Sequence, residues 1–214
     1  MLMPLIKKDL TIVKGYTLGV VAIAFGLPLL LAWRQPQMGG MISLLMAVLI
    51  SSVAFNLAIS EKENQYPKAT ALLSSTPYTK GKVIVSKYAL YFIIYIVCFI
   101  AYLVEMQFVP ELKLVNFART AALVFLIQAL GMGIFLPIQY KFGYEKTKFI
   151  SFVLLVLSPV IIEATKRISF SSKIVSLMQS NSVIAVAILY GCGILIWLVS
   201  FVISNKIFAK KDLI

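Results

Sequence analysis

Side chains able to do chemistry are few in this sequence, and the absences narrow the options. There is no histidine, which removes imidazole proton relays, histidine metal ligands and histidine-activated nucleophiles. Cys98 and Cys192 lie in separate apolar runs and read as small hydrophobes rather than as a metal-binding pair. No G-x-x-x-x-G-K-[ST] run is present, so the chain has no phosphate loop of that kind, and Gly131 and Gly133 fall inside an apolar run. What remains is a set of polar groups in apolar surroundings: Asn56, Glu105, Gln128 and Glu163. Beside them is an aromatic stripe, Tyr88, Tyr91, Tyr95, Phe99 and Tyr102, whose steps of 3, 4, 4 and 3 share one helical face. A carboxylate in such a place can meet a cation or a proton, and the hydroxyls of Tyr91, Tyr95 and Tyr102 can wall a cavity. Their plainer role is to join one helix to the next.

The elements that hold these groups follow from composition. The chain has 214 residues, 61% hydrophobic and 13% charged, with mean hydropathy +0.96. Soluble domains carry about a quarter charged residues. Disordered chains are poor in apolar residues, and two cysteines cannot staple a chain of this length. An integral membrane protein is left. Six apolar runs are long enough to cross: Tyr16–Trp33, Met38–Ser60, Tyr88–Val109, Thr120–Tyr140, Phe149–Thr165 and Val183–Ser204. Of 20 basic and 8 acidic residues, only Glu105 and Glu163 fall within them. Backbone polar groups must be satisfied within lipid, so only helices or closed barrels can span. The run Tyr91 to Ile100 does not alternate as a barrel strand would. The expectation is one all-α membrane domain over residues 1–214. Its first span is retained, since no small-x-small cleavage site follows Trp33. No inverted repeat is evident between the halves.

Lysine and arginine mark cytoplasmic loops. With the N-terminus inside, the inner segments hold 14 basic residues and the outer segments 6, which predicts both termini in the cytoplasm. That bias and anionic lipid account for the net charge of +12. Nucleic acid is not an expected partner, because the basic residues are spread over separate loops without interleaved aromatics. In this frame Glu105 and Glu163 lie near the outer ends of their spans. A mid-bilayer charge costs about 2.5–3.5 kcal/mol on insertion scales, and less near an interface. Each carboxylate is expected to reach headgroup water or to pair with a base such as Arg119 or Lys166. Asn56 and Gln128 are deeper and are expected to hydrogen-bond between helices. Pro28, Pro137 and Pro159 are expected to bend their spans. The segment from Ser158 to Asn181 reads either as a broken helix pair or as a loop.

Two segments sit outside the spans on the inner side. Leu2, Leu5, Ile6, Leu10 and Val13 recur at helical spacing, with Lys7, Lys8, Asp9 and Lys14 largely on the other side. This predicts a helix lying in the headgroup plane. The stretch Glu61–Lys87 follows span two. Pro67 suits the first turn of a helix, and Tyr66, Thr70 and Leu73 then share a face, with Ala69 and Leu72 beside it. Ser74-Ser75-Thr76-Pro77 ends that helix, and Thr76 or Thr79 caps the next. A solvated connecting turn fits the same composition.

These two segments resemble the membrane subunit of ATP-binding-cassette transporters, in the type-two family of six-span exporter permeases. The family's Lys-Asp pair on an amphipathic N-terminal helix is matched by Lys8-Asp9-Leu10. Its first cytoplasmic loop is matched by Glu61 and Glu63, then Leu72-Leu73-Ser74-Ser75-Thr76-Pro77, then Lys80 through Lys87-Tyr88. The resemblance implies a coupling helix over Tyr66–Leu73, seated in a cleft of a separate cytoplasmic ATPase. Glu61, Glu63, Tyr66, Pro67, Ala69, Thr70, Leu72, Leu73 and Pro77 would belong to that contact. It also implies two ATPase copies, a second permease identical or related, and no cofactor on this chain, with ATP and magnesium held by the partner. Asn56, Tyr91, Tyr95, Tyr102, Glu105, Gln128 and Glu163 are the candidates for the translocation path. The cargo expected is a hydrophobic or amphipathic peptide, of the phenol-soluble-modulin or antimicrobial kind. The alternatives are an ATP-independent carrier or channel, and an accessory membrane protein. The 17 lysines against 3 arginines point to a bacterial plasma membrane.

Overall fold

The computed structural model describes residues 3–34, 40–65, 80–112, 116–150, 153 and 183–209. All regular structure among them is helical. The helices are α1 (Met3–Ile12), α2 (Lys14–Arg34), α3 (Met41–Gln65), α4 (Lys80–Phe108), α5 (Phe117–Phe142) and α6 (Val183–Ala209). A 3-10 turn, Pro110–Leu112, follows α4, and a short helical stretch, 144–150, follows Gly143. From α2 to α6 each helix is long and apolar enough to cross a membrane. The shortest, α2, has 21 residues and reaches about 31 Å at ~1.5 Å per residue.

Neighbouring pairs set the direction of each helix. α5 and α6 run parallel: Phe125 stacks on Tyr190, Gly133 abuts Ile196 and Ser200, and Tyr140 meets Phe208. α3 runs the same way, its Ser52 bonded to Gln128 and its Asn56 to Gln139. α4 runs against all three, with Lys87 beside Glu63 and Tyr102 bonded to Gly40. Asp9, the end of α3, the start of α4 and the ends of α5 and α6 therefore share one end of the bundle. Gly40, Glu105 and the start of α5 share the other.

α3, α4 and α5 form the centre, while α2 and α6 flank it. α2 buries a single stripe, Val20, Ala24, Pro28 and Ala32, repeating every four residues, and shows Leu18, Phe25, Leu29 and Trp33 outward. α6 buries Gly193, Ser200 and Ser204 and leaves Ile188, Leu195, Leu198 and Val202 exposed. Pro28 and Pro137 lie inside α2 and α5. At the end of α5, Gly143 takes φ +81° and its N–H donates to the Gln139 carbonyl at 2.9 Å. That left-handed angle ends the helix and suits glycine.

Three expectations are corrected. α3 continues to Gln65, past the predicted end at Ser60. α4 starts at Lys80, eight residues before the predicted span, so Lys87 is helical and not in a loop. Hydropathy marks where lipid ends, and a helix can run on beyond it, since its backbone bonds need no apolar side chains. Asp9 was expected on the wet side of α1, yet it is 1% exposed. Helical spacing ranks faces by apolar content and cannot foresee a counter-charge waiting on another helix. The fifth predicted span, Phe149–Thr165, lies outside the described residues apart from Phe149, Ile150 and Val153.

Candidate functional site

At the Asp9 end, charges from three helices converge. Lys87 lies on α4 between Ile84 and Tyr91, at spacings that put it on the buried face, and it is 5% exposed. Its Nζ is 2.7 Å from Glu63 Oε1 at the end of α3 and 3.7 Å from Asp9 Oδ2 on α1. Asp9 Oδ1 is 3.0 Å from Lys8 Nζ. Two ammonium groups thus face two carboxylates, and the cluster is neutral. A buried ammonium is tolerable when paired and hydrogen-bonded, as Lys87 is to Glu63, whereas Asp9 Oδ1 meets Lys8 as an ion pair without a hydrogen bond among the described residues. Around it, Gln65 Nε2 donates to Glu61 Oε1 at 3.5 Å and Asn64 Nδ2 to Glu145 Oε1 at 3.3 Å. Next to that contact, just beyond α5, burial and the charges of Glu61 and Glu145 raise the Tyr144 phenol above its ordinary value.

From this cluster a seam of neutral polar contacts runs through the bundle. Asn56 Nδ2 donates to Gln139 Oε1 at 2.9 Å, and Gln139 Nε2 donates in turn to Ser60 Oγ. Gln128 Nε2 donates to Ser52 Oγ at 2.9 Å and to the Tyr91 carbonyl at 3.1 Å, joining α5 to both α3 and α4. The Tyr88 hydroxyl meets Ser200 Oγ at 2.5 Å, and Ser200 Oγ donates to the Gly133 carbonyl, so α4, α5 and α6 meet there. Tyr95 donates to the Ala121 carbonyl at 3.0 Å and lies 3.1 Å from the Tyr190 hydroxyl. Tyr102 donates to the carbonyls of Gly40 and Leu112, both at 2.9 Å.

Aromatic rings close the gap between α4 and the α5–α6 pair. The Phe125 ring lies 5.3 Å from Tyr95, 5.4 Å from Tyr190 and 5.2 Å from Trp197, centroid to centroid. These separations suit tilted and edge-to-face packing. The same ring fills the place where a Cβ on Gly193 would stand, only 2.7 Å from its Cε1. The close approach of α5 and α6 thus needs glycine at 193.

Glu105 and Tyr91 stand apart from this seam. Glu105 is 4% exposed, and neither carboxylate oxygen has a hydrogen-bond partner among the described residues. A carboxylate this buried does not make the expected exit to headgroup water, and no hydrogen bond joins it to Arg119; Lys166, the other base expected to pair with it, lies outside the described residues. The Tyr91 hydroxyl is likewise buried without a partner among the described residues. Of the loop positions, only Glu61 and Glu63 are described. Tyr66, Pro67, Ala69, Thr70, Leu72, Leu73 and Pro77 lie outside the described residues, as does Glu163.

Sequence reasoning missed the partnership of Lys87 with Asp9 and Glu63. The signal was there: Lys87 shares a helical face with Ile84 and Tyr91 and opens a long apolar run. Ser200 and Ser204, four apart in the otherwise apolar α6, marked that helix's inward side in the same way.

A family model described as ABC-2 family transporter protein matches residues 4–209, from the first helix to the last. The chain belongs to the ABC-2 transporter family. As an ABC-2 member it is the membrane permease of an ATP-binding-cassette transporter, whose ATPase is a separate chain. The resemblance read from Lys8-Asp9-Leu10 and the loop is confirmed at that level. No curated relative and no solved structure matches the chain.

Proposed function

We propose that this permease forms the translocation path of an ATP-driven exporter, paired with a second permease and driven by two cytoplasmic ATPase subunits. The observation that carries the reading is the family match over residues 4–209. The contact with the ATPase is the segment Tyr66–Leu73, which the described helices α3 and α4 bracket at the Asp9 end. Two further observations support six crossings with that end in the cytoplasm. α5 and α6 run parallel, so the chain between Phe142 and Val183 has to return to the opposite end, and Phe149–Thr165 is the apolar run available for it. Lys7, Lys8, Lys14, Lys62, Lys82, Lys87, Lys141 and Lys206 gather at the Asp9 end, whereas Arg34 and Arg119 lie at the other.

Asn56, Gln128, Tyr95 and Tyr102 are already bonded to neighbouring helices, which favours them as the joints of the bundle. Tyr91 and Glu105 carry polar atoms with no hydrogen-bond partner among the described residues, and they are the path residues we retain from that set. The cargo in this reading is a hydrophobic or amphipathic peptide and the membrane a bacterial plasma membrane.

Co-purification tests the reading. A tagged chain should bring down a soluble ATPase from its native membrane, and the pair Leu72→Asp and Leu73→Asp should abolish that association while the permease still inserts. Peptide transport by the purified chain in liposomes, with no ATPase and no nucleotide, would overturn it.

A further inference from the structure

We infer that Lys87 is a positioning residue: one buried ammonium that ties the interfacial helix α1 and both stems of the loop 66–79 into a single rigid body. The inference deepens the proposed function and rests on it, because it concerns what happens to a push delivered at that loop.

The geometry carries it. Glu63 lies two positions before the end of α3, and Lys87 lies two turns into α4, so their contact joins the two helices that flank residues 66–79. Asp9 belongs to neither stem. It comes from α1, which is joined to α2 by only the Val13 turn, where Tyr16 N–H donates to the Val13 carbonyl at 2.9 Å. Leu5, four residues before Asp9, is buried on the same side of α1, and Val13 is buried in the turn that follows, so the helix is seated on the bundle by apolar contact as well. Apolar contact lets a helix slide or roll, whereas a charge facing two carboxylates fixes both position and rotation. Lys8 completes the set and leaves no net charge to be solvated. A displacement of the loop stems is then passed through Asp9 to α1 and, across a single turn, to the first spanning helix. Without the cluster the loop could move while α1 stayed behind.

The test reads distance and not activity. Spin labels are placed at Thr11→Cys on α1 and Gln65→Cys on α3, both exposed, in a chain carrying Cys98→Ala and Cys192→Ser. Pulsed dipolar spectroscopy in lipid nanodiscs should give one narrow distance distribution. Lys87→Arg should keep it narrow, and Lys87→Met should broaden it. Because a lone Lys87→Met leaves two carboxylates uncompensated and could simply fail to fold, the charge-free triple variant D9N/E63Q/K87M is the decisive sample. It should retain native helicity and melting, and still show the broad distribution. A folded triple variant with a distribution as narrow as that of the native chain would overturn the inference, since packing alone would then hold α1. In the complex with its ATPase, trapping with ADP and vanadate should leave the native distance unchanged, and a shift there would overturn it too. The nanodisc measurement uses the permease alone, so a failure to find an ATPase would sink the proposed function without touching this result.

Discussion

Helix α4 carries a buried charge near each end, and the two ends handle it differently. Lys87, 5% exposed, has two carboxylates from two other helices within 4 Å. Glu105, 4% exposed, has no hydrogen-bond partner among the described residues. Seventeen residues of mostly apolar and aromatic helix separate them, so local sequence and burial are alike. The difference lies in what the neighbouring elements bring. α1 and the end of α3 deliver counter-charges at one end, whereas at the other the tyrosine hydroxyls of Tyr102 and Tyr95 donate to the carbonyls of Gly40, Leu112 and Ala121 and not to the carboxylate. A buried ion with partners locks elements together, and a buried carboxylate without them is available to something else, which in a membrane is a mark of function.

Substitutions can break this comparison or sharpen it. Lys87→Met should be the most damaging, with a loss of about 3–5 kcal/mol, because breaking a buried pair strands the remaining charges. Thermal melting in detergent would show it, and a melting point near native would mean that Asp9, buried in the native chain, reaches water. Gly193→Leu comes next. Its Cβ would stand 2.7 Å from the Phe125 ring, and overpacking of that kind costs about 1–3 kcal/mol; detergent melting together with loss of the α5–α6 contact by cross-linking would report it. Gln128→Leu removes two interhelical hydrogen bonds from the neutral seam. Double-mutant values for such bonds in membranes predict a loss of about 0.6–1.7 kcal/mol, to be measured by a cycle with Ser52→Ala. Glu105→Gln should have the smallest effect on stability, leaving the melting point unchanged or raised, because it removes a buried charge that has no hydrogen-bond partner among the described residues. A fall larger than that of Gln128→Leu would show that Glu105 is paired after all. Loss of ATP-driven transport at unchanged stability would instead assign the carboxylate to the path.

Much of the architecture was legible from the residues. The segregation of charge from apolar runs located the five described spanning helices, since lipid penalises an unpaired charge wherever it falls along the chain. Helix ends were less legible: α3 and α4 run past their apolar segments, because backbone hydrogen bonding does not stop where hydropathy does. The inward side of α4 could be read from its tyrosines, and the inter-helix role of Asn56 and Gln128 from their isolation. Their partners could not be read. Gln139, Ser60, Ser52 and Tyr91 are ordinary residues in sequence and become partners only when α3, α4 and α5 stand side by side.

By itself, the amino-acid order determined that this chain belongs in a bilayer and which of the described stretches are long and apolar enough to cross it. Both follow from the nature of each residue and its neighbours along the chain. Only the tertiary structure decided that Asp9 faces inward, that Lys87 joins three helices, that Phe125 fills the space beside Gly193 and that Glu105 has no hydrogen-bond partner among the described residues. Those outcomes depend on electrostatic and steric complementarity between residues far apart in sequence, which no local pattern encodes.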